Sequence, residues 1–124
     1  MKPKKKKSKA LLILATIVGL FFALKFAINV KVKHAQEKIT EYCQNNEKGV
    51  PSDEIIYSAK RGDFDKVMTR RLNNGELAEP FNPGEHVDDG EILVMKVGFG
   101  FSKFYCSVRI KNSYSVYSEI GSEG

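Results

Sequence analysis

The 124-residue sequence predicts an α+β protein: an N-terminal transmembrane helix continuing into an amphipathic helix, a second short helix, and a three- or four-stranded antiparallel β-meander. Three observations predict it. Residues 10–30, ALLILATIVGLFFALKFAINV, are apolar with Lys25 as the one charge. Ile28, Val32, Ala35, Ile39 and Tyr42 then recur at spacings of 4, 3, 4 and 3, the period of a helix face. In the last third, apolar and polar residues alternate, which is the period of strands.

The apolar run fixes the first element. Twenty-one residues at about 1.5 Å rise reach roughly 31 Å as a helix, enough to cross a hydrocarbon core of about 30 Å. A cleavable signal needs small residues at the third and first positions before its cut. Ending the run at Ala23, Ala27 or Ala35 places Phe21, Lys25 or Lys33 at the first of those positions, so the segment reads as a retained anchor, with a secreted domain after cleavage as the alternative. Lys2, Lys4, Lys5, Lys6, Lys7 and Lys9 precede it, whereas Lys31, Lys33 and Lys38 follow it with Glu37 and Glu41 interspersed. That asymmetry predicts a cytoplasmic amino terminus, an inner-membrane anchor and a periplasmic or extracellular domain. The same six lysines are candidates for contact with the anionic membrane surface. The chain thus divides into a polybasic tail, 1–9, a membrane helix, 10–30, an exported domain, 31–120, and a flexible tail, 121–124.

Charge excludes a tempting function. The net charge is +5, but residues 1–33 carry nine lysines and no acid, leaving eleven basic against fifteen acidic residues beyond, a net of −4. The folded part has no general attraction for nucleic-acid phosphate.

Beyond the membrane, the helix ends where Asn45, Asn46, Gly49 and Pro51 cluster, since Gly or Asn takes the left-handed conformation past a helix end and Pro cannot continue one. Its apolar seam faces the domain's own sheet or a partner helix. VPSDEIIYSAKRG predicts the second helix, with Ser52 as cap, Asp53 and Glu54 at the positive end of the dipole, and Gly62 as the stop. A hairpin turning at Arg61 and Gly62 is the alternative. Residues 64–72 fit either period: Phe64, Val67, Met68 and Leu72 share a helical face, while Val67 and Thr69 fit a strand. Residues 73–90, NNGELAEPFNPGEHVDDG, read as a long acidic loop. Glu85, His86, Asp88, Asp89 and Glu91 match neither the calcium-loop spacing nor a zinc ligand set, so no metal or cofactor is assigned.

Leu93, Met95, Val97 and Phe99 alternate on one strand, and Phe104, Cys106, Val108 and Ile110 on the next. Gly98 and Gly100 mark the turn between them; Asn112 and Ser113 mark the turn into a third strand over 114–119. The oily face of this meander needs a cover, and the helix leaving the membrane is the long amphipathic segment at hand. Cys43 at the end of that helix and Cys106 on the middle strand are predicted to pair on the oxidising side of the membrane. Such a bridge closes about 63 residues, for which chain entropy gives roughly 4 kcal/mol.

The order of parts carries a family resemblance: a lysine-flanked anchor, a helix ending in Tyr42-Cys43, Gly49-Val50-Pro51-Ser52-Asp53-Glu54-Ile55 opening a short helix, and Phe104-Tyr105-Cys106-Ser107-Val108 in a strand before a hairpin. Over about residues 40–120 the chain resembles small membrane-anchored bacterial envelope proteins whose domain is similar to the SmpA/OmlA, β-lactamase-inhibitor-like fold. The resemblance implies two helices on an antiparallel sheet and a non-catalytic protein-interaction domain. It departs at one point, because those lipoproteins carry a lipid-modified Cys after the signal and this chain has none there.

The sequence therefore predicts an anchored domain that binds another envelope protein through the sheet's outer face, the acidic loop or the aromatic residues Phe99, Phe101 and Tyr105. A pilin-like filament subunit shares the plan, but the acid those chains carry early in the apolar run is missing. His34 and His86 are isolated, and neither a nucleophile motif nor a glycine-rich phosphate loop is present, so no catalytic residue is named.

Overall fold

The computed structural model describes residues 2–80 and 85–123, with side chains from Lys9 onward. An apolar half followed by an amphipathic half gives one uninterrupted helix, α1 (Lys2–Asn45), about 66 Å long at 1.5 Å per residue. Its backbone is helical from Lys2, through the polybasic segment 2–9. The side chains of Lys2, Lys4, Lys5, Lys6 and Lys7 lie outside the described residues. The stretch of α1 from Lys9 is long and apolar enough to span a membrane, and its most apolar window buries no residue in the protein. Burial begins at Ile28 and Val32, both half-covered, and is complete at Ala35, Ile39 and Tyr42, the seam read from the spacing, and at the adjoining Cys43. Asn46 closes the helix by donating its Nδ2 to the Tyr42 carbonyl at 2.8 Å, and Gly49 turns the chain at φ +78°.

α2 spans Ser52–Arg61 and buries Ile55, Ile56 and Ala59. Its N-cap is Pro51, with no side-chain cap; Ser52 instead lies inside the first turn, fully buried, and turns its hydroxyl to the loop at residues 86–87. Gly62 ends the helix in an extended conformation and donates its N–H to the Ser58 carbonyl at 2.9 Å.

Five antiparallel strands follow: β1 (Lys66–Arg70), β2 (Leu77–Ala78), β3 (Gly90–Val97), β4 (Lys103–Lys111) and β5 (Tyr114–Glu123), in the spatial order β2-β1-β3-β4-β5. The sheet is thus larger than the three- or four-stranded meander expected. Residues 66–70 settle as a strand because β3 offers them a free edge, pairing Val67 with Val94 and Thr69 with Ile92. β2 arises inside the stretch read as loop, and nearby Pro80 is fully buried. β5 runs on through Glu123, pairing Gly121 with Tyr105 and Glu123 with Lys103, where a loose tail over 121–124 was expected. A side chain at Gly121 would collide with the Tyr105 ring, so the ring lies over the glycine.

Helices and sheet meet on one face. Ile92 and Val94 of β3 and Cys106, Val108 and Ile110 of β4 are fully buried against Ile39, Tyr42, Cys43, Ile55, Ile56 and Ala59. Each such aliphatic side chain removed from water contributes about 1.5–3 kcal/mol, which makes this layer the main source of cohesion. The phase of β3 differs from the expectation of a single oily face: Ile92 and Val94 point to the core, while Leu93 and Met95 stand on the other side of the sheet.

Candidate functional site

Cys43 and Cys106 form the predicted disulfide, with Cα atoms 5.6 Å apart. Both are buried, so the bridge lies within the helix–sheet layer rather than over it. It joins the last turn of α1 to mid-β4, and the Ser118 hydroxyl adds a 2.8 Å bond to the Cys43 carbonyl. Tyr42 donates its hydroxyl to the Ile55 carbonyl at 2.6 Å, tying α1 to α2; burial raises this phenol well above the ordinary tyrosine range. The stalk is therefore tied to the sheet covalently and to α2 by a buried hydrogen bond.

Both helices pack on the same side, leaving the other face of the sheet without a covering element among the described residues. There the register brings Met68, Leu93, Met95 and Tyr105 together on β1, β3 and β4. They are half-exposed around a shallow depression of about 140 Å³, rimmed by Lys66 and Glu123. Farther along the same face, the Arg109 guanidinium sits 5.6 Å from the centre of the Tyr117 ring. On β5, Tyr117 is exposed on this face, while Ile120, the register partner of Cys106, is exposed on the helix side. The start of β5 is covered, since Ser115 exchanges backbone bonds with Gly49 and Val50, but no strand pairs with its outer side beyond that point among the described residues.

The three aromatic residues singled out in the sequence do not form one cluster. Tyr105 belongs to the outer face, on a strand partner of Gly121. Phe99 and Phe101 occupy the β3–β4 turn at the end of the sheet nearest the apolar half of α1. Gly98 there approaches the helix so closely that a Cβ would stand 2.8 Å from the Val32 Cα. Lys31 reaches to 6.0 Å from the centre of the Phe99 ring, and Phe101 is 89% exposed.

The acidic stretch is pinned at the opposite end of the sheet. The β4–β5 turn places Asn112 and Ser113 at φ +53° and +71°, the two left-handed positions of a two-residue hairpin. Asp88 holds this turn: its carbonyl accepts the Ser113 N–H at 2.8 Å and its carboxylate accepts the Ser113 hydroxyl at 2.9 Å. His86 Nε2 lies 2.8 Å from the same carboxylate and Nδ1 lies 3.2 Å from the Ser52 hydroxyl. The Ser113 hydrogen bond, aided by His86, holds the Asp88 carboxyl below its usual range. Serine, histidine and aspartate stand in sequence here, but Ser52 is fully buried and its oxygen also accepts the Val87 N–H at 3.2 Å. A substrate carbonyl has no approach to that oxygen, and the arrangement serves to staple the loop to α2 and the hairpin. Among the described residues, no three His, Cys, Asp or Glu side chains converge as a metal site.

Tyr105 is singled out in the sequence, but Leu93 and Met95 are assigned there to the core face for a traceable reason. The run Ile92-Leu93-Val94-Met95 is apolar without interruption, which signals a strand covered on both faces, whereas reading only its alternate members suggests a half-buried one. The His86 staple left no local signal, because its four residues come from three separate parts of the chain. Compared with protein-family models, curated proteins and solved structures, the chain matches none.

Proposed function

We propose that this protein is a non-catalytic, single-pass membrane-anchored domain on the exported side of a cytoplasmic membrane, which binds another envelope protein through the outer face of its sheet. The observation that carries the reading is the apolar patch of Met68, Leu93, Met95 and Tyr105 on a sheet whose helices all lie on the other side. A protein that covers it gains hydrophobic burial at the centre and polar contacts from Lys66, Arg109 and Glu123 at the rim. The open outer side of β5 can accept an extended segment of that partner as an added strand. Export is supported by the lysines ahead of the anchor and by a buried disulfide, which persists in oxidising compartments.

The test is site-specific photocrosslinking from Leu93 and Tyr105 in native membranes, with Glu54 on α2 as the off-patch control. The reading expects one envelope protein captured from the first two positions and lost in Leu93→Glu. Capture of the protein by itself alone supports a filament or oligomer instead, and no capture above the Glu54 control overturns the binding surface.

A further inference from the structure

We infer that the β3–β4 turn is a second membrane contact: Phe99 and Phe101 enter the lipid interface of the same leaflet from which α1 emerges. The inference rests on α1 spanning the bilayer, and on no particular protein partner. Its starting point is position along α1. Gly98 sits against Val32, two residues past the end of the apolar run at Val30, so the turn lies about 3 Å along the helix axis from that end. The interfacial layer outside a hydrocarbon core of about 30 Å is roughly 5–7 Å deep on each side. The turn is therefore at headgroup level while α1 stands near the bilayer normal. Coverage of the helix starts even earlier, at Ile28, the one residue of 10–30 that is half-covered.

The turn's composition suits that level. Phe99 is 47% and Phe101 89% exposed, a large solvent-facing aromatic surface for so short a turn. Gly100 between them takes φ +59°, which lets the chain reverse within a few residues. Beside it α1 is basic, with no Asp or Glu from residue 1 to residue 36. A groove of about 480 Å³ beside the turn is lined by Val30, Lys31, His34, Lys96, Val97 and Gly98. Lys33 on α1 and Lys103 at the start of β4 are exposed there too. Lys96 pairs with Asp63 and Asp65 at 3.2 and 4.0 Å and Lys103 stands opposite Glu123 in the β4–β5 register, so the excess positive charge beside the turn comes from Lys31 and Lys33 on α1. Aromatic rings with lysines beside the exit of a membrane helix match the polar–apolar gradient of the interface. With α1 covalently bridged to the sheet, this second contact fixes the tilt of the domain and holds the outer face of the sheet in one orientation relative to the lipid.

The chain has no Trp, so Phe101→Trp introduces a single reporter at a position exposed enough to tolerate it. Tyr114→Trp, at the far end of β4–β5 and about 26 Å away along eight residues of strand, serves as the reference. Each full-length variant is reconstituted into vesicles of phosphatidylcholine and phosphatidylglycerol carrying nitroxide high on the acyl chain. The expected result is a blue-shifted emission for the Phe101→Trp variant, with severalfold stronger quenching by the nitroxide lipid and weaker quenching by aqueous iodide than for the Tyr114→Trp variant. Equal iodide access at the two positions overturns the inference. So does protection of the reporter at position 101 that appears only when envelope proteins are added, which assigns the turn to a protein. Flotation of the same vesicles after carbonate extraction separates the two levels: failure to float removes the anchor itself, whereas floating protein with a water-exposed reporter at position 101 removes only the second contact. A native disulfide on a non-reducing gel certifies the fold of both variants.

Discussion

Replacing both Cys43 and Cys106 by alanine removes the bridge that joins α1 to β4 and leaves the rest of the core in place. The bridged residues are 63 apart in sequence. Loop-closure entropy for a ring of that size amounts to about 14 cal/mol/K, or about 4 kcal/mol at 25 °C, which the unbridged unfolded chain regains. Both positions are buried, so the alanines also leave small voids and lose sulfur contacts. Reducing the native protein separates these two contributions, because it cuts the bridge without removing the sulfurs. In urea, with an m-value of about 2 kcal/mol/M, the midpoint of domain unfolding should fall by about 2 M on reduction and somewhat further in the double variant. The assay is circular dichroism in the strand region, with the full chain in detergent so that α1 stays solvated. Equal midpoints for the oxidised, reduced and alanine forms, at unchanged m, would refute the claim that the bridge restrains the unfolded chain.

Other consequences follow from single contacts. Gly98→Val sets a side chain against the Val32 backbone and should lower stability by about 1–3 kcal/mol, whereas Gly19→Ala, with open space around it, should leave the urea midpoint unchanged. Tyr42→Phe leaves the buried Ile55 carbonyl without the 2.6 Å bond of the hydroxyl and should cost about 1–2 kcal/mol at neutral pH. Since burial raises the Tyr42 phenol above its unfolded value of about 10, its contribution is complete below that pH and declines above it. The wild type should therefore lose stability more steeply than Tyr42→Phe above pH 10, and parallel alkaline profiles would sink that assignment. The depressed Asp88 carboxyl works in the opposite direction: its contribution is present above the ordinary aspartate range and lost as pH falls below it. Asp88→Asn should flatten the acid limb of the stability profile and loosen the β4–β5 turn, seen as faster amide exchange at Ser113.

The long apolar helix, stalk, second helix and the β3–β4–β5 hairpins could be read from residues 10–119 because each rests on a period or a turn written within a few neighbours, and the Cys43–Cys106 pair, 63 residues apart, followed from the helix-on-sheet topology those elements imply. Twenty-one apolar residues state a helix long enough to span a membrane, and Asn112-Ser113 between two alternating runs states a hairpin. The tertiary structure decided what had no local signature. Residues 66–70 fit a helix face as well as a strand until the free edge of β3 supplied hydrogen-bond partners. Gly121–Glu123 became strand because β4 extends far enough to pair with them and Tyr105 covers the glycine. Ser52 gave up its capping role because His86 and Val87, more than thirty residues away, offered its hydroxyl a buried place. Phe99, Phe101 and Tyr105, neighbours in sequence, separated onto a turn and a sheet face because β3 ends at Val97 and β4 begins at Lys103, which leaves the first two outside the ladder. Short-range patterns fix conformation where the chain satisfies its own backbone; wherever a backbone group or a side-chain face must find its partner across the fold, only the assembled sheet and helices determine the outcome.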